Sequence, residues 1–254
     1  MLKLTFLGTG TSQGVPVISC ECEVCQSKDS KDKRLRSSVL VETEGRTFVI
    51  DCGPDFRQQM LTANVKHIDA VLLTHEHRDH IAGLDDLRAF NYTQNEAISV
   101  YCELRVQDAV KQNIPYAFTK VRYPGVPEIH FCNIENSPFS ISGIEITPIR
   151  GYHYKLPVLG FRIGALCYIT DMNRIDDCEL EKIKGVDILI INALRHESHI
   201  SHFNLNEAID IINKVNPKQA YLTHLSHQIG LHESLSKQLP QNVNLAHDGL
   251  ILQM

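Results

Sequence analysis

The stretch Ala70-Val71-Leu72-Leu73-Thr74-His75-Glu76-His77-Arg78-Asp79-His80 decides how this chain is read. Its apolar start predicts a buried strand, and the polar run behind it sets four potential metal ligands, His75, His77, Asp79 and His80, inside six residues. Neutral imidazole and ionised carboxylate together suit zinc, manganese or iron(II). In an extended segment His75 and His77 point to one face, because side chains alternate. A turn then lets Asp79 and His80 approach from another direction. Packed this closely, such groups repel one another on protonation and are costly to bury unless a cation neutralises them.

The rest of the chain sets bounds on that reading. Its 254 residues, 43% hydrophobic, can form one large domain or two small ones. No linker or low-complexity tract divides them, so one domain over residues 1–254 is expected. A formal charge of −5 leaves no general basic footprint for long nucleic acid. Met1–Gly8 is too short an apolar run for a signal peptide, and no stretch approaches the roughly 20 apolar residues of a membrane span. A soluble, cytoplasmic protein is expected. Eight cysteines without a secretory signal argue against a disulfide framework. Cys52, Cys102, Cys132, Cys167 and Cys178 read as buried, inert thiols.

Strand-like runs alternate with helical ones. Strands are expected over 2–7, 38–42, 47–51, 70–73 and 99–102, with the second pair joined at Glu44-Gly45. Helices are expected over 84–92 and 104–113. The second half repeats the style, with strands over 139–141, 144–149, 159–163, 166–170, 188–191, 220–223 and 249–252, and helices over 179–184 and 206–215. Strands lead and helices follow in each half, which predicts two packed sheets with helices outside. Three more polar residues sit just past strand-like runs: His153, Asp171 and His224. With the first four they make seven ligands, enough for two adjacent metal sites bridged by one carboxylate.

At these residues the chain resembles the metallo-β-lactamase superfamily over nearly its full length. His75-x-His77-x-Asp79-His80 matches the main motif, Val49-Ile50-Asp51-Cys52-Gly53 the preceding strand, and Ile169-Thr170-Asp171 the bridging-aspartate strand. The resemblance implies a four-layer αββα sandwich of class α/β (α+β). It also implies one metal on His75, His77 and His153, a second on Asp79, His80 and His224, and Asp171 bridging. Asp51 would orient a ligand imidazole, or else only form a turn. An acid at Asp79 resembles the phosphodiesterases, whereas true β-lactamases depart there. His77 departs from flavodiiron oxygen reductases, and about thirty residues after His224 are too few for a glyoxalase II-type helical domain.

Cys20-x-Cys22-x-x-Cys25 is a second cluster, whose thiolates would be costly together without a soft cation. A tetrahedral zinc needs one more ligand, and the sequence offers many histidines. Gly8-Thr9-Gly10-Thr11-Ser12 ahead of those cysteines, with Thr223-His224-x-x-His227, is similar to the PhnP-type cyclic phosphodiesterases. That likeness implies a structural Zn2+ on Cys20, Cys22, Cys25 and His227. His202 resembles a non-ligand active-site histidine of the same enzymes and is the candidate, with Asp79, for a catalytic role, either protonating or hydrogen-bonding the leaving alkoxide. His196 and His199 are weaker candidates; His67, His130, His232 and His247 read as surface or packing residues.

Two active-site ions, Zn2+ or Mn2+, roughly 3.5–4 Å apart would lower the pKa of shared water towards neutrality for in-line attack. The implied substrate is a small cyclic phosphodiester, a ribosyl 1,2-cyclic phosphate or a nucleoside 2′,3′-cyclic phosphate, and a homodimer is plausible by family precedent. Competing readings are a tRNA 3′-processing nuclease, a mononuclear-iron persulfide dioxygenase and a non-catalytic metal-binding module. Residues 113–137 are short for a tRNA-binding arm, and no basic arm is visible.

Overall fold

The computed structural model describes residues 1–120 and 124–254. Its backbone gathers into two compact units, one of residues 1–8, 38–135 and 249–254, the other of residues 9–37 and 136–248. Three residues of the 113–137 region, 121–123, lie outside the described residues.

The first unit is built on strands β1 (Leu2–Gly8), β2 (Ser38–Thr43), β3 (Arg46–Ile50), β4 (Ala70–Leu72), β5 (Ile98–Cys102) and β6 (Ile129–Asn133), with the C-terminal strand Ile251–Gln253 beside β1. β1, β2 and β3 pair antiparallel, whereas β3 to β6 run parallel. The change follows from the connections. Glu44-Gly45, both at positive φ, close a tight hairpin between β2 and β3, while parallel neighbours need crossovers. These carry helices α1 (Phe56–Thr62), α2 (Arg78–Ile81), α3 (Arg88–Gln94) and α4 (Leu104–Asn113). Val49, Val71 and Val100 on successive strands form one core with Phe56, Leu84, Leu87, Phe90, Val106 and Val110 from the crossovers. Phe48 and Ile50, on the alternate positions of β3, are fully buried too, which is why these strands read as continuous apolar runs.

The second unit repeats the plan. Strands β7 (Phe139–Ile141), β8 (Ile144–His153), β9 (Leu156–Ile163) and β10 (Leu166–Tyr168) pair antiparallel in sequence, and a short β11 (Arg174–Ile175) flanks β8. β10, β12 (Ile188–Asn192), β13 (Gln219–Thr223) and β14 (Val243–Leu245) then run parallel. Their crossovers carry α5 (Asp177–Ile183), α6 (Leu205–Val215) and α7 (His232–Ser236). Ile211, Ile212 and Val215 of α6 pack with Leu189, Ile191, Ala220 and Leu222. A capping box starts α6: Asn204 Oδ1 accepts from Glu207 N at 2.9 Å, and Glu207 Oε2 from Asn204 N at 2.8 Å.

Several expectations need correction. Residues 84–92 are not one helix: a 3₁₀ turn over Leu84–Leu87 precedes α3. The tight approach of Gly83 to the Gly53 carbonyl, with no room for a side chain, starts that turn. β8 runs on to His153, four residues past the expected end. β6 was not foreseen. Cys52, Cys102 and Cys167 are buried, but Cys132 is half-buried and Cys178, near the start of α5, is exposed. No helix among the described residues is long and apolar enough to cross a membrane.

Candidate functional site

In the first unit the candidate ligands leave the C-terminal end of β4, where open α/β sheets place their ligands. His75 is fully buried, and its ring centroid lies 4.6 Å from His77 and 4.3 Å from His80. Asp79 and His80 follow a turn that is helical, α2, which brings His80 Nε2 to 3.2 Å from Asp79 Oδ2.

Asp51 organises these rings. It stands just past β3 at φ 65°, a left-handed conformation costly for a non-glycine residue. Its carboxylate accepts from Thr74 N at 2.9 Å and Thr74 Oγ1 at 2.9 Å, and lies 2.7 Å from His80 Nδ1. Complete burial pushes this carboxyl up, while His80 and Thr74 pull it down. Three donors on one acid serve its ionised form, and His80 then carries its proton on Nδ1 and a lone pair on Nε2. Thr74 has one hydroxyl proton, spent on Asp51, so at 3.0 Å from His75 Nδ1 its oxygen accepts. His75 too is protonated on Nδ1, and its Nε2 holds the lone pair. Both tautomers suit metal ligation.

The second unit gathers its set from three strand ends and the loop before α6. His153 closes β8; Asp171, at φ 56°, follows β10; His202 lies beyond β12; His224, at φ 54°, follows β13. Ligand-capable atoms of His153, Asp171 and His202 all lie within 4.8 Å of one another. His224 Nδ1 is 2.8 Å from Asp171 Oδ1, and its Nε2 is 3.1 Å from Thr11 Oγ1. His202 stacks on His224 at 5.0 Å and meets His153 edge-on at 4.5 Å. Its Nδ1 is buried and, among the described residues, has no hydrogen-bond partner. Burial, helped by the neighbouring imidazoles and opposed by Asp171, pushes His202 down to about 3, so the ring is neutral and offers one N–H. It stands two residues before the Asn204 cap of α6. His199 lies 5.1 Å from His202, whereas His196 bonds the Ile229 carbonyl.

Sequence reasoning missed the residues that hold these groups. Asn192, fully buried at the end of β12, grips both sides of Met172: its Oδ1 accepts from Met172 N, and its Nδ2 donates to Met172 O, each at 2.9 Å. Met172 O also accepts from Phe203 N at 2.7 Å, so one amide steadies the segments bearing Asp171 and His202. Met172 Sδ occupies the space a side chain on Gly151 would need. No local pattern marks an asparagine that acts twenty residues away.

Cys20, Cys22, Cys25 and His227 also converge, with ligand atoms within 4.8 Å of one another. His227 Nδ1 is 3.3 Å from Cys20 Sγ and 3.2 Å from Cys22 Sγ. The Cys25 amide, then His227, hold Cys22 down at about 6, while burial pushes Cys25 up to about 11. Three sulfurs and one nitrogen on a tetrahedral scale fit zinc.

A buried ionic network braces this loop. Arg34 Nη1 donates to Thr9 Oγ1 at 2.8 Å and to Ala246 O at 2.7 Å, and Nη2 donates to His232 Nδ1 at 3.3 Å. Asp248 accepts from Thr9 Oγ1 and Leu35 N, both at 2.7 Å. Because Arg34 only donates, His232 must be neutral, and burial with Arg34 holds it at about 4. Burial raises Asp248 to about 6.

Comparison with known proteins identifies the family. The family model for the beta-lactamase superfamily domain matches residues 46–225. A crystal structure of a new diphosphatase from the PhnP family is 37% identical, with TM-score 0.94 over 100% of this chain and 98% of that one. Zn(2+)-bound PqqB from Methylobacterium extorquens shares the fold at TM-score 0.80 and 20% identity, over 99% of this chain and 100% of that one. The octanoyltransferase of Porphyromonas gingivalis is 42% identical over 98% of this chain but only 51% of its own length. The chain spans about half the length of the curated relatives it matches first. Its mixed α/β class is that of a superfamily whose model covers most of it. The chain belongs to the metallo-β-lactamase superfamily and, within it, to the PhnP family.

Proposed function

We propose that the protein is a metal-dependent phosphodiesterase that opens a small cyclic phosphodiester to a phosphomonoester. The observation that carries this reading is Asp79 against His80 Nε2 at 3.2 Å, an acid and an imidazole that together would hold a second divalent ion. The PhnP-family relative, described as a diphosphatase, supports chemistry at phosphorus.

By the family pattern, His75, His77, Asp79, His80, His153, Asp171 and His224 would serve the active-site ions, zinc or manganese. Cys20, Cys22, Cys25 and His227 would hold a structural zinc. The donor sets fit: tautomer-fixed imidazoles with carboxylates in one case, thiolates with one imidazole in the other. Such ions, when bound, neutralise phosphoryl oxygens and lower the pKa of water. The chain's own residues do the rest. Asp51 and Thr74 keep His80 and His75 in the ligating tautomer. Asn192 holds the backbone beside Asp171. His202 offers its N–H to the leaving oxygen, for which its dry, partnerless setting is suited.

A second reading, hydrolysis of a diphosphate linkage, is favoured by the relative's description. The octanoyltransferase name belongs to a protein of which this chain matches half. The decisive experiment offers zinc- or manganese-loaded protein 2′,3′-cyclic AMP, bis(p-nitrophenyl) phosphate, a dinucleoside diphosphate and pre-tRNA. Turnover of the first two supports the proposal; turnover of only the third or only the fourth replaces it. His202→Ala and Asp79→Ala should each abolish turnover while leaving the fold and the cysteine-bound zinc intact.

A further inference from the structure

We propose that Tyr154 and Ile200 form a rim that receives a planar ring, so that the substrate carries a nucleobase or aryl group and is not a bare sugar phosphate. This rests on the phosphodiesterase reading above and narrows it.

One side chain joins the two residues. Asn173 Oδ1 accepts from Tyr154 N, and Asn173 Nδ2 donates to Ile200 O, each at 2.9 Å. The Asn173 amide itself donates to Tyr152 O at 2.9 Å. The tip of the β8–β9 hairpin and the loop before His202 are thus pinned to one carboxamide. Tyr154 follows His153 directly, and Ile200 precedes His202 by two residues, so both belong to the segments that carry the pair of imidazoles meeting at 4.5 Å.

What they present is unusual for such a position. Tyr154 is 50% exposed and Ile200 65% exposed, although a short polar turn would serve a hairpin better. Tyr154 also holds φ 57°, a conformation that a bulky residue keeps only when its surroundings enforce it. Asn173 supplies that enforcement. Lys155 Nζ lies 5.4 Å from the Tyr154 ring centroid, so the same turn offers an aromatic face and a cation. Aromatic face, aliphatic edge and cation together suit a nucleotide: the ring stacks, and the cation meets the phosphate.

The test compares kcat/KM for 2′,3′-cyclic AMP with that for ribose 2,3-cyclic phosphate, using metal-loaded protein. Stacking on one aromatic residue makes the wild-type preference for the base-bearing substrate about tenfold or more. Tyr154→Ala should erase about that factor, chiefly through KM. Tyr154→Phe should restore it, and Asn173→Ala should lose part of it. Saturation transfer from the protein to the AMP ring protons gives a second readout, expected in the wild type and in Tyr154→Phe but lost in folded, zinc-containing Tyr154→Ala. An unchanged ratio in Tyr154→Ala, with both substrates cleaved, overturns this inference alone. Failure of the wild type to cleave either substrate or bis(p-nitrophenyl) phosphate overturns the phosphodiesterase reading and this inference with it.

Discussion

The two units reach similar chemistry by opposite routes. In the first, four candidate ligands hang from a single loop behind β4, and the neighbouring strand supplies the carboxylate that fixes their protons. In the second, each comes from a different strand end, and an amide twenty-one residues from the carboxylate it steadies holds the geometry. A set borne on one loop depends on local conformation and proton placement. A set gathered from three strands depends on register, and on every contact that keeps neighbouring strand ends level. The first unit should therefore be sensitive to its tautomers, the second to its scaffold.

The largest effects should come from the ligands themselves and should be equal in the two units. His75→Ala and Asp171→Ala should each cost about a thousandfold or more in kcat/KM for 2′,3′-cyclic AMP, since metal-ion stabilisation of a phosphoryl transition state is worth several kcal/mol. Tolerance of either change would show that only one unit's set matters. Asp51→Asn sharpens the contrast. It keeps the shape but no longer pins the His80 proton, and should lower metal affinity or activity about 10–100-fold with little change in the denaturation midpoint. Asn192→Leu should do the reverse. Leaving Met172 N without its acceptor, while Met172 O keeps Phe203 N, should cost about 1–3 kcal/mol of stability, read by urea unfolding, with activity falling less than in Asp51→Asn. If Asn192→Leu proved stable but inactive, the scaffold argument would fail.

The smallest effect concerns the bracing network. His232 has a folded pKa of about 4 against an ordinary 6.5. The unfolded chain binds a proton as pH falls through 6.5, while the folded chain does not until about 4, so the stability due to neutral His232 is present above 6.5 and lost below it. Asp248, raised to about 6 from 3.8, works in the opposite sense over much of the same window. The stability difference between wild type and His232→Gln should therefore shrink from pH 7 to pH 4 by about 1–2 kcal/mol, even if the wild type alone looks flat. Thermal melts across that range provide the check.

The same contrast explains what could be read from the sequence. The loop behind β4 is contiguous, so its ligands and the strand ahead of it stand out together. His153, Asp171 and His224 become a set only once a family pattern lines them up, because nothing local relates the ends of β8, β10 and β13. The buried parallel strands were legible from their apolar runs, as were the hairpin at Glu44-Gly45 and α4, whose bounds match. Less visible was β6: Ile129-His130-Phe131-Cys132-Asn133 is half-exposed and carries no strong alternation. Helix α1 lies among polar residues of a short crossover, and its three buried side chains, Phe56, Gln59 and Met60, are too few to announce a periodic face. Asn192, Asn173 and Thr74 could not be found at all, since their roles rest on which backbone atoms face them.

Asp51, Asp171 and His224 all swing into the left-handed region within three residues of a strand's end. Side chains on a strand change face with every residue, so one residue added or removed between Tyr168 and Asp171, or between Leu222 and His224, would turn the functional group away from its companions. The hairpin at Gly143, which has open space around it, could be lengthened freely. Homologues should therefore vary in length at such tips, while the interval from strand to acid or imidazole stays fixed to the residue.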